Sequence, residues 1–356
     1  MMMVNLKVLL VMENNKKKKS KKKIFVIISL IFVIGLSSGL FLLYGPYKGF
    51  RDFWITTAMT TMEHQYLAKI FYSDDIINSV LESNRVIEPE GTTDTSLIEI
   101  YDNASSTVVY KDKYDKQVLE HEEGAIYKYF KVEGYSFDAY MAVIYDPSKI
   151  SVVKTKYMGY NGQYLVDMAK ENNAIVAING GGFIDVEGQS NGGEPRGIII
   201  EDGRIVQSSR NRDKAGGVIG FTNDHKLFLG DVSAQEAIDA GVRDAVEFGP
   251  FLVINGQSSF IKGNGGYGIH PRTAIGQRKD GIVLFLVVDG RRVDSIGAGM
   301  KDLSDIMVKY GAYNAANLDG GNSSVLVIDN KIVNRPINWS MQEATRPIAT
   351  GFIVVE

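Results

Sequence analysis

Apolar and polar positions divide the chain into four textures. The run IFVIISLIFVIGLSSGLFLLY, Ile24 to Tyr44, carries no charge. Its 21 residues would make a helix of about 31 Å, enough to cross a bilayer core. From Phe50 to Phe71, the residues Ile55, Met59, Met62, Tyr66 and Ile70 recur at spacings of four, three, four and four. That period predicts an amphipathic helix within a juxtamembrane region, residues 45–81, packed on its own ectodomain; two or three heptads are too few for a coiled coil. Residues 82–120 are polar and mixed, through SNRVIEPEGTTDTS, DNASS and DKYDKQVLEHEEG, and predict a linker with room for one short hairpin. From about Gly124, short apolar runs alternate with Gly, Asn and Asp. IYKYFKV, DAYMAVIY, AIVAIN, RGIII, VLFLVVD and SSVLVI predict strands. NGQYLVDMAKENN, LSDIMVKYG (with Gly311 as stop) and SAQEAIDAG (capped by Ser233) predict helices. Many strands with few helices imply an α+β fold for residues 121–356: a mixed β-sheet core with a few flanking helices, preceded by one N-terminal transmembrane helix.

Charge gives that helix an orientation. Residues 1–23, rich in lysine at 16–19 and 21–23, carry +7, which leaves −10 for residues 24–356. The basic leader should stay cytoplasmic and the remainder be exported. A cleaved signal peptide would have a shorter apolar core and an A-x-A-like site. Met12 opens a cleaner lysine-rich leader than Met1. An acidic exported part argues against nucleic acid as partner. The chain has no cysteine, which excludes disulfides, thiolate zinc sites and cysteine nucleophiles.

Four Asp-Gly pairs punctuate the strand region, and they differ in context. Asp202-Gly203 and Asp280-Gly281 lie beside apolar strands and predict hairpins, as do Asn255-Gly256 and Asp329-Asn330. Asp289-Gly290 ends VLFLVVDGRR, and Asp319-Gly320 ends AANLDGGNSS. A carboxylate at the tip of a buried strand is rigidly held, which suits positioned chemistry. Comparable clusters follow other strands or precede them: Asn179, Gly180 and Gly181 in AINGGGF, Glu194 and Arg196 in NGGEPRG, and His270, Arg272 and Thr273 in IHPRTAIG. Arginine suits bidentate phosphate recognition, and glycine lets backbone N–H groups approach an anion. The pattern implies a site for a phosphorylated substrate.

Other chemistries lack their signatures. There is no H-E-x-x-H and no Walker A motif. Gly263 to Gly268 fits G-x-G-x-x-G but neither follows a clear strand nor opens a helix, which implies a loop or lid. Ser323 and Ser324 have no G-x-S-x-G elbow. No ligand spacing defines a metal site, and a divalent cation bridging Asp289 or Asp319 to phosphate stays an open option.

INGGGF, GEPRGIII, FGPFLV, PRTAIG, VVDGR, LDGGNSSVLVI and ATRPIATGFIV stand in the order found in the phosphodiester glycosidase family, which this chain resembles over about residues 124–356. Asn322 stands where the family usually has a third glycine, and Gly182 where it usually has phenylalanine. The resemblance implies a membrane-anchored extracytoplasmic hydrolase that breaks the anomeric C–O bond of a sugar-1-phosphodiester, in a phosphorylated glycan or glycolipid of the cell envelope or an exopolysaccharide. Asp319, Asp289 and Glu194 are then the candidates for charge stabilisation and base work, with Asp319 first. Arg272, Arg291 and Arg196 would hold phosphate. Asn179, Gly180, Gly181, His270, Thr273, Gly320, Gly321, Ser323 and Ser324 would complete substrate binding. The rival readings are a non-catalytic module for anionic wall polymer, a structural envelope partner, and a phosphodiesterase that cuts P–O.

Overall fold

A computed structural model describes residues 2–61, 64–100, 109–185, 190–209, 215–338 and 340–356, with side chains from residue 21 onward. It divides into two compact units, Met1–Trp54 and Ile55–Glu356. In the first, one helix runs from Met2 to Tyr44. Its Lys21–Tyr44 portion, of mean hydropathy 2.7, is long and apolar enough to cross a membrane.

The second unit is an antiparallel α+β domain. VLFLVV shows how its core is laid out. Successive side chains of a strand point to opposite faces, and all six residues of Val283–Val288 are fully buried. Leu284, Leu286 and Val288 pack with Leu303, Ile306 and Met307 of the helix Met300–Lys309. Val283, Phe285 and Val287 pack with residues of two other sheets, among them Ile178, Phe352, Ile219 and Phe221. A strand covered on both faces reads as a continuous apolar run, as this one does.

That strand lies in a seven-stranded sheet. The spatial order is Gln257–Ser258, Phe251–Ile254, Ala312–Leu318, Arg272–Arg278, Val283–Val288, Asp138–Ile144 and Tyr127–Glu133. A five-stranded sheet runs Lys331–Ile332, Leu326–Ile328, Ala174–Asn179, Thr350–Val355 and Ile150–Lys154. Its outer face is closed by Leu165, Met168 and Ala169 of the helix Leu165–Glu171. A second five-stranded sheet runs Arg204–Ser208, Ile198–Glu201, Val242–Phe248, Gly217–Thr222 and Leu227–Gly230. Ala234 and Ala237 of the helix Ala234–Asp239 pack on it. The Ser233 hydroxyl caps that helix, accepting from Glu236 N at 3.2 Å while Glu236 accepts from Ser233 N at 2.7 Å. Asp202-Gly203, Asn255-Gly256 and Asp329-Asn330 each have two consecutive positive φ angles and join adjacent strands, the geometry of type I′ hairpins.

The amphipathic stretch is broken into Lys48–Met59, Tyr66–Lys69 and Asp74–Ser83. Residues 82–120 have more structure than a linker. Arg85–Ile87 pairs with Phe260–Lys262, the Glu88 carboxylate accepts from Phe251 N and Gly216 N at 2.5 and 3.1 Å, and Lys113–Leu119 is helical. Buried Asp115 there ion-pairs with Arg278 at 2.9 Å. The DNASS portion lies outside the described residues.

Candidate active site

Three strand ends converge because the sheets are stitched there by the buried amide of Asn179. Its Nδ2 donates to the Asp319 carbonyl at 2.6 Å, and its Oδ1 accepts from Thr273 Oγ1 at 2.7 Å and Val325 N at 3.2 Å. Asp319 N donates to Gly180 O at 3.1 Å, and Gly321 N to Pro271 O at 2.9 Å. Gly181 N donates to Thr350 Oγ1 at 3.0 Å. The tip of Ala312–Leu318 is thus locked to the tips of Ala174–Asn179 and Arg272–Arg278.

Above this junction opens a cavity of about 760 Å³. Arg196, His270, Arg272, Arg291, Asp319, Gly320, Gly321 and Ser323 line it. Asn179, Thr273 and Ser324 are buried, and Asn179 and Thr273 support the junction with the backbone of Gly180 and Gly181. Two expected carboxylates are placed elsewhere. Glu194 is exposed, outside the cavity lining. Asp289 is buried and engaged, accepting from Asn334 Nδ2 at 2.9 Å and from Arg335 N at 3.0 Å, with Arg292 at 3.4 Å. Burial raises its carboxyl above the usual range, and those N–H donors oppose the rise. Asp289 lies outside the cavity lining.

Arg272 lines the cavity but spends its guanidinium on the protein. Nε donates to Ala298 O at 3.1 Å, and Nη2 to Tyr267 O at 2.6 Å and Gly268 O at 2.9 Å. It thereby holds the loop Gly263–Gly268, which is also tied by Asn264 to Asn84 and Thr56 at 2.9 Å each. Arg196 and Arg291 also reach the wall. The Arg291 guanidinium borders Gly321, where a built Cβ would stand 3.0 Å from Nη2.

Asp319 is the carboxylate on the cavity wall whose protonation is most displaced. Burial pushes its carboxyl up to about 6, opposed by the Ser323 hydroxyl, the Arg346 charge and the Gly320 amide, and reinforced by Asp185. His270 is driven well below the usual imidazole range, first by burial and then by the Arg272 and Arg291 charges, so it is neutral at pH 7. Its Nε2 lies 2.8 Å from Thr60 Oγ1, and Met59, Thr60, Thr61 and Gln65 complete one wall.

Asp185 and Arg346, which the sequence reading passed over, also line the cavity. Arg346 Nη1 donates to Asp185 Oδ2 at 2.7 Å and its guanidinium lies 4.7 Å from the Phe183 ring centre. ATRPIATG and GGFID carried a signal in their charged residues, but nothing local pairs positions 161 residues apart. Asn322 has a partner too: its amide nitrogen, oriented to satisfy both neighbours, donates to Ala344 O at 2.9 Å and Ile337 O at 3.3 Å. Among the described residues no group of three or more His, Asp or Glu is arranged to hold a metal ion.

A family model for phosphodiester glycosidases matches residues 172–355. The SPbeta prophage-derived uncharacterized protein YomE of Bacillus subtilis (strain 168) is 32% identical over 201 residues, covering 53% of this chain and 30% of that protein. The N-acetylglucosamine-1-phosphodiester α-N-acetylglucosaminidase of Homo sapiens is 27% identical over 210 residues, covering 53% and 39%. The chain therefore spans well under half the length of these curated relatives. The solved catalytic domain of the zebrafish enzyme, described as auto-inhibited by its pro-peptide, shares the fold with a TM-score of 0.54 at 22% identity, covering 66% of this chain and 85% of that one.

Proposed function

Because the chain belongs to the phosphodiester glycosidase family, we propose that it hydrolyses a sugar-1-phosphodiester by breaking the bond between the anomeric carbon and the phosphate oxygen. The observation that carries this reading is Asp319, a carboxylate with a displaced pKa on the wall of an arginine-lined cavity. A phosphate monoester is a good leaving group, so stabilising its charge matters more than protonating it. Arg291 and Arg196 take that role, and Arg346 lines the same cavity. The oxocarbenium-like state needs a negative neighbour and water needs a base; ionised Asp319 supplies both, with Asp185 across the Arg346 guanidinium. Neutral His270 and the Ser323 hydroxyl offer hydrogen bonds to sugar hydroxyls or phosphate oxygens.

The apolar helix Lys21–Tyr44 serves in this reading as a membrane anchor with an extracytoplasmic catalytic domain, and the substrate is a phosphorylated glycan or glycolipid of the envelope. The test is turnover of glycosyl-1-phosphodiesters by the full chain in isotope-labelled water. Label should enter the sugar; label in the phosphate would show P–O cleavage. Arg291→Ala should lose about 10²–10³ in rate, the size seen for loss of an oxyanion donor. If Arg291→Ala and Asp319→Asn both turned over like the wild type while folded, the assignment would fail. Binding without turnover by the wild type would support the non-catalytic module.

A further inference from the structure

Arg272 borders the cavity, whereas Arg278, at the other end of the same strand, donates to Tyr310 O at 3.0 Å and to Asp115 at 2.9 Å. Seven residues of strand place these ends about 20 Å apart. Around Tyr310 there is a second concavity, of about 360 Å³, lined by Lys113, Lys116, Lys128, Lys131 and Lys309 together with Glu120 and Glu133. Five lysines converge here although residues 24–356 together carry −10.

Three of the five have protein partners. Lys128 Nζ donates to the carbonyls of Gln117 and Glu120 at 3.1 and 2.5 Å, at the end of the helix Lys113–Leu119. Lys131 pairs with Asp138 at 2.5 Å and Lys116 with Glu120 at 3.6 Å. Lys113 and Lys309 have no ion pair among the described residues and are exposed. Both ammonium groups flank the ring of Tyr114, 5.0 and 4.9 Å from its centre, and are therefore at most about 10 Å apart, where a ring face offsets only part of their repulsion. Tyr114 is held edge-on against Tyr310 with ring centres 5.3 Å apart. Two ammonium groups this close, on a concavity lined by three further lysines, favour an anion there. Lysines spread around a concavity of about 360 Å³ can meet more than one phosphate of a polyanion.

We propose that this concavity is a second binding site, which holds the phosphate groups of a phosphodiester-linked polymer. That the held polymer is also the one cut in the first cavity rests on the function proposed above; the binding itself does not.

The test is calorimetric titration of the full chain in detergent micelles with oligo(glycerol phosphate). The double variant Lys113→Gln/Lys309→Gln should bind roughly tenfold more weakly and with a shallower dependence on salt. Its turnover of a small soluble glycosyl-1-phosphodiester and its thermal midpoint should stay as in the wild type. Asp319→Asn should bind the oligomer as the wild type does, whether or not the catalytic reading holds. Equal binding by the double variant would overturn the proposal. So would a loss of oligomer binding in Asp319→Asn, which would move the polymer to the first cavity. Two further results would also overturn it: inorganic phosphate binding as tightly as the oligomer, or the lysine pair affecting only vesicles that contain phosphatidylglycerol.

Discussion

Asp319 holds its proton to about pH 6 because its half-buried carboxyl is desolvated on the cavity wall. In the proposed mechanism it acts ionised, so turnover should fall as pH drops through about 6 and level off above. Stability runs the other way. The folded-state pKa exceeds that of the unfolded chain, so this group's contribution is fully present below the unfolded value and is lost as pH rises through about 6. Asp319→Asn should therefore be inactive, and its melting temperature relative to the wild type should rise between acid and neutral pH. A flat difference would mean that the carboxyl titrates normally. Asp319 and Asp289 are alike in sequence, each ending an apolar strand before glycine. What separates them is Asn334 and Arg335, whose N–H groups claim Asp289 and which lie far along the chain from it. Arg272 misleads differently: its guanidinium turns back on the carbonyls of the loop just before it, Tyr267 and Gly268, and on Ala298, a fold-back that residue type does not reveal.

At the scale of elements, six strands and the three helices of the strand region were legible as apolar runs or as helical periods with a stop or cap, whereas Ile150–Lys154, Gly217–Thr222, Leu227–Gly230 and Val242–Phe248 were not among the predicted strands. The segment before the strand region was less legible. The apolar period continues past Met59, yet the helix ends there; the Thr60 and Thr61 hydroxyls bond back to the carbonyls of Thr56 and Ala58 at 2.9 and 2.8 Å. Such local bonds compete with helix propagation, and they also turn Thr60 toward His270. This end of the helix reaches the domain through Gly268, which has φ 63° and lies so close that a Cβ would stand 2.6 Å from Thr57 Cα. Gly268→Ala should cost about 1–3 kcal/mol, from the left-handed backbone and the forced separation together. Gly91, at φ 90° with nothing within 4 Å of its Cβ, is the control: its alanine variant should lose only the backbone part. Denaturant midpoints measure both. Equal losses would show that Thr57 is not packed against the loop.

For the whole molecule, the match to residues 172–355 is smaller than the compact unit Ile55–Glu356. A chain cut before residue 172 loses Asp138–Ile144, the partner of Val283–Val288 through a six-residue register. It also loses Ile150–Lys154, which pairs with Thr350–Val355. Two central strands would become exposed edges, and such edges are templates for aggregation. The loss reaches both cores: Met141 and Val143 leave one, and Ala142, Ile144, Ile150 and Val152 leave the other, each at most 4% exposed. Burying a large apolar side chain is worth about 1.5–3 kcal/mol, and a domain's net stability is about 5–15 kcal/mol. Five such side chains therefore remove an amount comparable to the whole. Residues 172–356 expressed alone should lack a cooperative melting transition and aggregate, whereas residues 55–356, the complete second unit, should melt cooperatively. A cooperative transition in the shorter fragment would mean that the two strands Asp138–Ile144 and Ile150–Lys154 decorate the core and do not close it.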